Sequence, residues 1–264
     1  MIKQNKTIAD YWENENTISL VDKNLRILET NFILKNILKS DKLLDLGCGD
    51  GESTFHYAKK VKKLIAFEKS NYLFKKMKKK IGNKSKVTFI NDSLVNLNKY
   101  NFCCNKIVTQ RVVINFMTWN DQKKIINLIH KKLPKNGKYL MIENTMEGFQ
   151  SMNRLRNSLG LESIKIHKWH NRFFYFKDFL KFVDKKFKIE EINNFNLYYL
   201  LTRAFVNTFA KFSGYGNKIR KDKIFEITDY KSRILQEKFN EKLNFKDNKY
   251  NLFGPISGFV LKKI

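Results

Sequence analysis

The segment from Leu43 to Ser53 constrains the fold of this chain more than any other part of the sequence. It reads Leu-Leu-Asp-Leu-Gly-Cys-Gly-Asp-Gly-Glu-Ser, an apolar run followed by alternating glycines and then a helical pattern. A buried strand, a tight turn and a helix in this order are the setting that a cofactor loop requires. Because glycine lets the backbone approach a ligand without a Cβ clash, the segment predicts a small-molecule site at the end of the strand.

The spacing of Gly47, Gly49 and Gly51 narrows the class of cofactor. It is Gly-x-Gly-x-Gly, whereas dinucleotide-binding folds use Gly-x-Gly-x-x-Gly and P-loops end in Gly-Lys-Ser or Gly-Lys-Thr. The spacing therefore disfavours both of those sites. A tight turn that binds nothing is the alternative that a lone glycine triplet would leave open.

Short apolar runs alternate with helical periodicity along the chain, which is typical of a parallel sheet covered on both faces. We predict a Rossmann-like, doubly wound α/β fold with a mostly parallel seven-stranded sheet. The predicted strands are residues 42–46, 64–68, 87–90, 106–110, 138–143, 188–192 and 258–262. The predicted helices are residues 11–38, 53–61, 71–81, 121–133, 149–159, 178–187, 198–212 and 230–243.

The same pattern predicts how the chain is organised. We expect an N-terminal helical extension over residues 1–40 and one sheet domain over residues 41–264. Insertions around residues 145–175 and 197–250 would form a cap and an acceptor pocket.

Acidic side chains close the second and third predicted strands. Glu68 can accept hydrogen bonds from both hydroxyls of a ribose. Asp92, in Asn91-Asp92-Ser93, can accept from an adenine amino group, although an aspartate at that place is also an ordinary helix cap.

The glycine turn, Glu68 and Asp92 together resemble the class I S-adenosylmethionine-dependent methyltransferases, over about residues 41–145. The resemblance implies S-adenosylmethionine as cofactor and S-adenosylhomocysteine as product. It places the turn under the methionine part, Glu68 at the ribose, Asp92 at adenine, and Tyr11 over the cofactor carboxylate. The acidic residue that starts the fourth strand in this family is absent here. The predicted cofactor-binding residues are Tyr11, Asp45, Gly47, Cys48, Gly49, Gly51, Glu68, Asp92, Ser93 and Gln110.

The acceptor side is expected after the fifth strand, where His170 and Asn171 lie among aromatic residues. A histidine there can orient and deprotonate a hydroxyl, and His170, His167 and Arg111 are the catalytic candidates. A loop histidine bonded to backbone, and a structural salt bridge of Arg111, are the alternatives. The predicted substrate-binding residues are Glu143, Asn171, Tyr199 and Arg203.

The formal net charge of +27 is compatible with nucleic acid or a small anionic acceptor. Lysines scattered over the whole length are, however, more typical of solvated surfaces. The three cysteines make neither a disulfide framework nor a zinc site, so we expect no metal and a reducing cytoplasm. No apolar stretch approaches the length of a membrane span.

Signatures of nucleic-acid methylation are missing, since neither Asn/Asp-Pro-Pro-Phe/Tyr after the fourth strand nor a Pro-Cys nucleophile is present. The motifs resemble those of bacterial methyltransferases that act on small molecules and surface polysaccharides. That resemblance predicts O-methylation of a sugar, phosphosugar or nucleotide-linked precursor in capsule or polysaccharide biosynthesis. A tRNA or rRNA methyltransferase and a non-catalytic S-adenosylmethionine-binding module are the alternatives. The oligomeric state is open.

Overall fold

The computed structural model describes residues 8–14, 22–166, 171–212, 223–242 and 253–264. Their strands form one seven-stranded sheet in the order β3-β2-β1-β4-β5-β7-β6. Pairing is parallel from β3 through β5, and β7 runs antiparallel to both β5 and β6. This is the mostly parallel, doubly wound sheet that the sequence predicts. The strands are β1 (Lys42–Leu46), β2 (Lys63–Glu68), β3 (Val87–Asn91), β4 (Lys106–Gln110), β5 (Lys138–Asn144), β6 (Phe187–Asn194) and β7 (Ile256–Lys263).

The helices alternate with the strands and then accumulate near the carboxyl end of the chain. A π-helical turn over Leu200–Phe205 joins α8 to α9, and short 3-10 helices follow β3 and β4 at Leu94–Lys99 and Val113–Asn115. The α-helices are α1 (Ile8–Glu13), α2 (Lys23–Lys35), α3 (Glu52–Lys60), α4 (Asn71–Ile81), α5 (Trp119–Lys132), α6 (Met146–Ser158), α7 (Phe176–Val183), α8 (Asn196–Tyr199), α9 (Val206–Phe212) and α10 (Lys223–Lys242).

Alternation of side chains along β1 divides the core into two layers. Leu44 packs with residues of α5 and α7 on one face, and Leu43 packs with residues of α2, α3 and α4 on the other. Both leucines are at most 1% exposed. Burial of side chains on both faces explains why adjacent positions of the strand are both leucine.

The sequence predicts that residues 11–38 are mostly helical, and the described part of that range contains two helices. Asp22 has an extended backbone, and its Oδ1 accepts a hydrogen bond from Leu25 N at 2.9 Å. An aspartate cap of this kind begins a new helix at the next residue. The described N-terminal region therefore consists of α1 and α2.

Asp22 also joins α2 to the helices near the carboxyl end. It accepts hydrogen bonds from Tyr198 Oη at 2.7 Å and from the guanidinium of Arg203. Arg233 of α10 donates to Asn24 of α2 at 3.1 Å. Described parts of the predicted insertion around residues 197–250 thus pack on α2. Within the described ranges, no helix is long and apolar enough to cross a membrane.

We expect Gly148→Ala to destabilise the fold. A Cβ at Gly148 of α6 would lie 2.1 Å from the carbonyl oxygen of Gly254, and backbone cannot move aside as a side chain can. Alanine in a helix normally stabilises relative to glycine, so a loss would report this crowding. Chemical denaturation should show a loss of about 1–3 kcal/mol in unfolding free energy. Ser158→Ala, exposed in the same helix, is the control, and equal stability of the two variants would contradict the expectation.

Candidate cofactor and acceptor site

A cavity of about 490 Å³ opens at the carboxyl ends of β1, β2, β4 and β5. Ligands bind at this edge of open α/β sheets because the strand order reverses there and loops diverge. The volume lies within the range of small-molecule sites. Described residues from α1, α2, the glycine turn and the segment after residue 170 complete its wall.

The glycine turn has the conformation that its sequence requires. Gly47, Gly49 and Gly51 have φ of 67°, 57° and 76°, a left-handed region that favours glycine. The amides of Gly47 and Cys48 donate to the carbonyl of Phe67, at 2.7 and 3.2 Å, which holds the turn against β2. A Cβ at Gly47 would lie 2.7 Å from Val112 Cγ2, so a larger residue would collide with the loop after β4.

Glu68 connects the glycine turn to the start of α4. Its Oε2 accepts from Gly49 N and its Oε1 from Ser70 N, both at 2.8 Å. Burial raises the pKa of this carboxyl, while the two amides oppose the shift. Each oxygen keeps a second lone pair, and the side chain lines the cavity. This placement suits the predicted acceptance of ribose hydroxyls.

Asp45 lies at the base of the cavity and is 3% exposed. Its Oδ2 accepts a hydrogen bond from Thr54 Oγ1 at 2.7 Å. Burial raises the pKa of Asp45 to about 7, with a contribution from the negative charge of Glu68. Cys48 also lines the cavity, and its Sγ donates to Met77 Sδ at 3.0 Å.

The structure gives Asp92 three partners and does not place it among the described lining residues. Its carboxylate accepts from Ser93 N, Asn96 Nδ2 and Tyr100 Oη, at 2.6–2.7 Å. Bonds from Asn96 and Tyr100 lower the pKa of Asp92. Asp92 therefore stabilises the 3-10 helix after β3, which is the helix-cap alternative, while Ser93 itself lines the cavity.

Helix α1 brings Tyr11, Trp12 and Glu13 to the cavity. The amides of Asn71 and Tyr72 belong to the first turn of α4 and have no acceptor within that helix. They donate instead to the Glu13 carboxylate, at 2.8 and 3.1 Å. Tyr11 thus lies at the cofactor side of the cavity. The Glu13 contact leaves no signal in the sequence, because Glu13 lies 58 residues before Asn71 and 59 residues before Tyr72.

An ion pair that the sequence did not reveal also lines the cavity. Arg26 Nη1 of α2 lies 3.5 Å from Asp50 Oδ2 in the glycine turn. Asp50 could have been found from its position between two glycines. Arg26 carries no local signal, because its helix is remote from the turn in sequence.

Gln110 and Arg111 line the cavity after β4, and both contact Glu29 of α2. Gln110 Nε2 donates to Glu29, and Arg111 Nε lies 3.4 Å from Glu29 Oε2. Arg111 adopts a φ of 56°, which is uncommon outside glycine. Glu29 is fully buried behind the cavity wall, and it is the acidic partner of the Arg111 guanidinium there. The salt-bridge alternative for Arg111 agrees with this geometry.

Glu143 was expected to bind substrate, but the structure gives it a different role. It is fully buried and accepts from the amides of Val112, Val113 and Ile114, at 2.8, 2.6 and 3.4 Å. Burial raises its pKa to about 8, and the three amides oppose the shift. Glu143 therefore anchors the loop after β4 and does not face an acceptor.

Tyr199 and Arg203 do not belong to the described cavity wall either. Tyr199 is 4% exposed, and a Cβ at Gly254 would lie 2.3 Å from its ring. Arg203 pairs with Asp22, which raises the pKa of the guanidinium against the opposing effect of burial. Arg203 therefore ties the π-helical turn to the start of α2, and Tyr199 lies against Gly254 before β7.

His167 and His170 lie outside the described residues. The segment that follows them does reach the cavity, through Asn171 and Phe173. Arg172 N donates to Ile114 O at 2.8 Å, which ties this segment to the loop after β4. Asn171 therefore lies where its acceptor-binding role was predicted.

Asn115, Phe116 and Asn144 line the same side of the cavity and were not predicted. Asn144 directly follows Glu143 in β5, and neighbouring strand residues point to opposite faces. The position of both residues at the end of a strand indicates a site at that edge of the sheet. The sequence does not show which of the two side chains faces the cavity.

The described cavity wall contains two groups of side chains, which we call its charged side and its uncharged side. The charged side groups five carboxyl and three basic side chains, from Glu13, Arg26, Asp45, Asp50, Glu52, Glu68, Lys69 and Arg111. The uncharged side contains Ile114, Asn115, Phe116, Asn144, Asn171 and Phe173. A net negative wall beside the glycine turn fits a cofactor that carries a sulfonium and ribose hydroxyls. Tyr11, Asp45, the glycine turn, Glu68 and Ser93 would hold it.

Comparison with known proteins agrees with this fit. Residues 43–137 match a family model described as a methyltransferase domain. No curated protein sequence matches the chain.

Solved structures share the fold at low sequence identity. The [4+2]-cyclase SpnF superposes with a TM-score of 0.57 and 12% identity, over 96% of this chain and 86% of that chain. The cyclopropane synthase MmaA2 from Mycobacterium tuberculosis gives 0.55 and 13%, over 96% and 88%. The N-methyltransferase NodS from Bradyrhizobium japonicum WM9, in complex with S-adenosyl-l-homocysteine, gives 0.50 and 13%, over 70% and 86%. At these identities the likeness concerns the fold.

We expect S-adenosylmethionine to bind more tightly as pH rises from about 6 to about 8. Below a pKa of about 7, Asp45 is protonated and must release its proton before its charge can attract a cationic ligand. Calorimetry in buffers of different ionisation enthalpy should detect proton release on binding. Asp45→Asn should abolish this release, whereas Asp178→Asn, exposed on α7, should retain it. Equal proton release in all three proteins would contradict the role of Asp45.

Proposed function

We propose that this chain, which carries a class I S-adenosylmethionine-dependent methyltransferase domain, methylates an oxygen atom of a small molecule. The observation that supports this acceptor class is the cavity itself, which holds about 490 Å³ and ends in an uncharged wall of asparagine and aromatic side chains. Cavities of this size bury most of a small ligand.

S-adenosylmethionine supplies a methyl carbon on a sulfonium sulfur, which an acceptor oxygen takes as the carbon–sulfur bond breaks. The chain must align the acceptor, exclude water and receive the hydroxyl proton. The loop after β4 and the segment from Asn171 to Phe173 form the wall that can align it. Glu143 keeps that loop in place through three backbone amides.

A sugar unit of a surface-polysaccharide precursor is our candidate acceptor within this class. Sugar hydroxyls hydrogen-bond to carboxamides, and the apolar face of a sugar ring packs on aromatic rings. Phosphosugars and nucleotide-linked sugars fit this site only if their phosphates extend away from the uncharged side of the cavity. The cytoplasm is the expected compartment for such a precursor.

A tRNA or rRNA acceptor is the second candidate, since the net charge is +27. The distribution of charge disfavours it. Exposed lysines occur on opposite layers of the molecule, such as Lys79 of α4 and Lys131 of α5. The cavity wall, in contrast, carries more carboxylates than basic groups. Nucleic acid would need a basic surface that leads to the site.

We expect label from methyl-labelled S-adenosylmethionine to appear in small neutral acceptors rather than in RNA. A panel of sugars, sugar phosphates and nucleotide sugars should be assayed beside tRNA and rRNA, with S-adenosylhomocysteine measured as co-product. The reaction should change little between low and moderate salt, because few phosphate contacts are made. Label confined to RNA, with a steep salt dependence, would replace the small-molecule proposal. Cofactor binding without any co-product would favour a non-catalytic module.

We expect His170→Ala to lower the rate of methyl transfer to a hydroxyl by about 100-fold or more, which is the usual contribution of a general base. The affinity for S-adenosylhomocysteine should not change, because His170 is not among the residues that would hold the cofactor. The low-pH fall of the wild-type rate should disappear in the variant. His56→Ala, exposed on α3, is the control. A variant that retains the wild-type pH profile would remove His170 from the mechanism.

A further inference from the structure

Lysines are concentrated at the edge of the sheet that lies opposite the cavity. There β1 to β6 begin and β7 ends. We call this surface the basic edge and define it as residues 38–42, 59–63, 84–86, 131–138, 184–188 and 262–264. These segments contain 17 lysines, two aspartates, no arginine and no glutamate. A small part of the chain therefore carries more than half of the net charge of +27.

Backbone hydrogen bonds join the segments of the basic edge into one continuous surface. Written as donor and acceptor, these bonds are Lys63 N–Asp41 O (3.3 Å), Leu64 N–Lys86 O (2.9 Å), Asn105 N–Lys42 O (3.0 Å), Lys138 N–Asn105 O (3.0 Å), Lys263 N–Gly137 O (2.9 Å) and Ile264 N–Lys186 O (3.2 Å). Lysines that are far apart in the sequence are thus neighbours in space. The basic edge is a property of the folded sheet, because no single run of the sequence contains it.

Acidic side chains offset little of this charge. Asp41 is 2% exposed and pairs with Lys106 at 2.7 Å, so its charge is already compensated inside the protein. Lys138 pairs with Glu190 at 2.6 Å, and among the described residues this is the one ion pair made by a lysine of the basic edge. Others, such as Lys263, donate to backbone carbonyl oxygens, which satisfies the ammonium group but leaves its positive charge.

The helix dipole accounts for only part of this pattern. Lys59 and Lys131 lie in the last turns of α3 and α5, where a positive charge stabilises the helix. Lysines of the loops and strand starts, such as Lys39 and Lys62, lie outside these helices. Mutual repulsion of so many ammonium groups opposes the compact fold, and an anionic partner at this edge would remove the repulsion.

Two exposed aliphatic side chains indicate what kind of anionic partner fits. Leu38 and Ile264 belong to the basic edge, and 60% and 64% of their surfaces are exposed. Aliphatic groups beside lysines suit the interface of an anionic bilayer, where the apolar groups enter the headgroup region. Nucleic-acid phosphates are typically bound by the planar fork of arginine, which the basic edge lacks. The composition of this surface therefore favours a membrane over nucleic acid.

We propose that the basic edge docks on the surface of a membrane that contains anionic lipids, with Leu38 entering the headgroup region. The lysine ammonium groups attract the lipid phosphates, and this attraction requires no particular headgroup. Because the cavity opens at the opposite edge of the sheet, docking leaves it facing the aqueous phase. Docking fixes where the protein is held, and it is independent of the acceptor that the cavity takes.

Co-sedimentation of the full chain with lipid vesicles tests this docking. The probes are vesicles of phosphatidylcholine alone and vesicles of phosphatidylcholine mixed with phosphatidylglycerol. The protein should bind the mixed vesicles and not the neutral ones, and added salt should release it, because salt screens the attraction. S-adenosylhomocysteine should bind equally well to free and to vesicle-bound protein, since the cavity remains open.

A variant in which four lysines become glutamine tests the position of the charge. One exposed lysine is taken from each of four segments: Lys39→Gln, Lys62→Gln, Lys135→Gln and Lys185→Gln. Its affinity for the mixed vesicles should fall by about 10-fold or more, because each lysine near the lipid surface adds to the attraction. The matched control loses the same charge at exposed positions outside the basic edge: Lys75→Gln, Lys76→Gln, Lys124→Gln and Lys177→Gln. The control should retain most of the wild-type affinity.

Leu38→Gln tests the apolar contribution without changing the charge. Binding to the mixed vesicles should weaken by about 3-fold or more, because the side chain would no longer gain from leaving water. An unchanged affinity of this variant would contradict a membrane as the partner.

Other results would also refute membrane docking. These are equal binding to neutral and mixed vesicles, and a control variant that loses as much affinity as the variant of the basic edge. Tighter binding of the wild type to duplex RNA or DNA than to the mixed vesicles would make nucleic acid the partner instead. Loss of S-adenosylhomocysteine binding on the vesicles would show that the cavity, and not the opposite edge, faces the lipid.

Discussion

Hydrogen bonds from backbone amides to buried carboxylates hold the site together. Parallel strands bring their carboxyl ends to one edge, and the loops that leave this edge expose amide groups that the sheet cannot pair. Glu68 at the end of β2 accepts from the glycine turn and from the start of α4. Glu143 near the end of β5 accepts from three successive amides after β4. Hydrogen bonds in such a water-poor setting are electrostatically stronger than they would be in water, so they fix these loops firmly.

The two side chains also differ in their position relative to the cavity. Glu68 belongs to the charged side and is itself part of the wall, whereas Glu143 lies behind the uncharged side and leaves it free of charge. The cavity therefore differs from the surface of a chain whose net charge is +27. Overall charge describes the solvated exterior, which lysines cover on both layers. It says little about a site whose electrostatics depend on a few desolvated groups.

The strands and the cofactor loop could be predicted because their signals are local. Three leucines within five residues, with glycines after them, define β1 and the turn, and Glu68 ends the next apolar run. The residues of the uncharged side have no such signal. Glu143 and Asn144 are adjacent in one strand, and which of them faces the cavity depends on how β5 lies between β4 and β7. The sequence predicts that Tyr199 and Arg203 bind substrate. In the structure Tyr199 lies against Gly254, and Arg203 pairs with Asp22 at the start of α2.

The sequence by itself determined the sheet, the position of the glycine turn and the chemistry of the cofactor side, because hydrophobic periodicity and glycine spacing are properties of neighbouring residues. Only the tertiary structure decided which side chains share the cavity. Arg26, Asn115 and Asn144 belong to three different elements, and Asp92 and Glu143 proved to be occupied by backbone and side-chain donors. Contacts between segments far apart in the chain leave no local pattern, so they become visible only when the sheet brings the strand ends together.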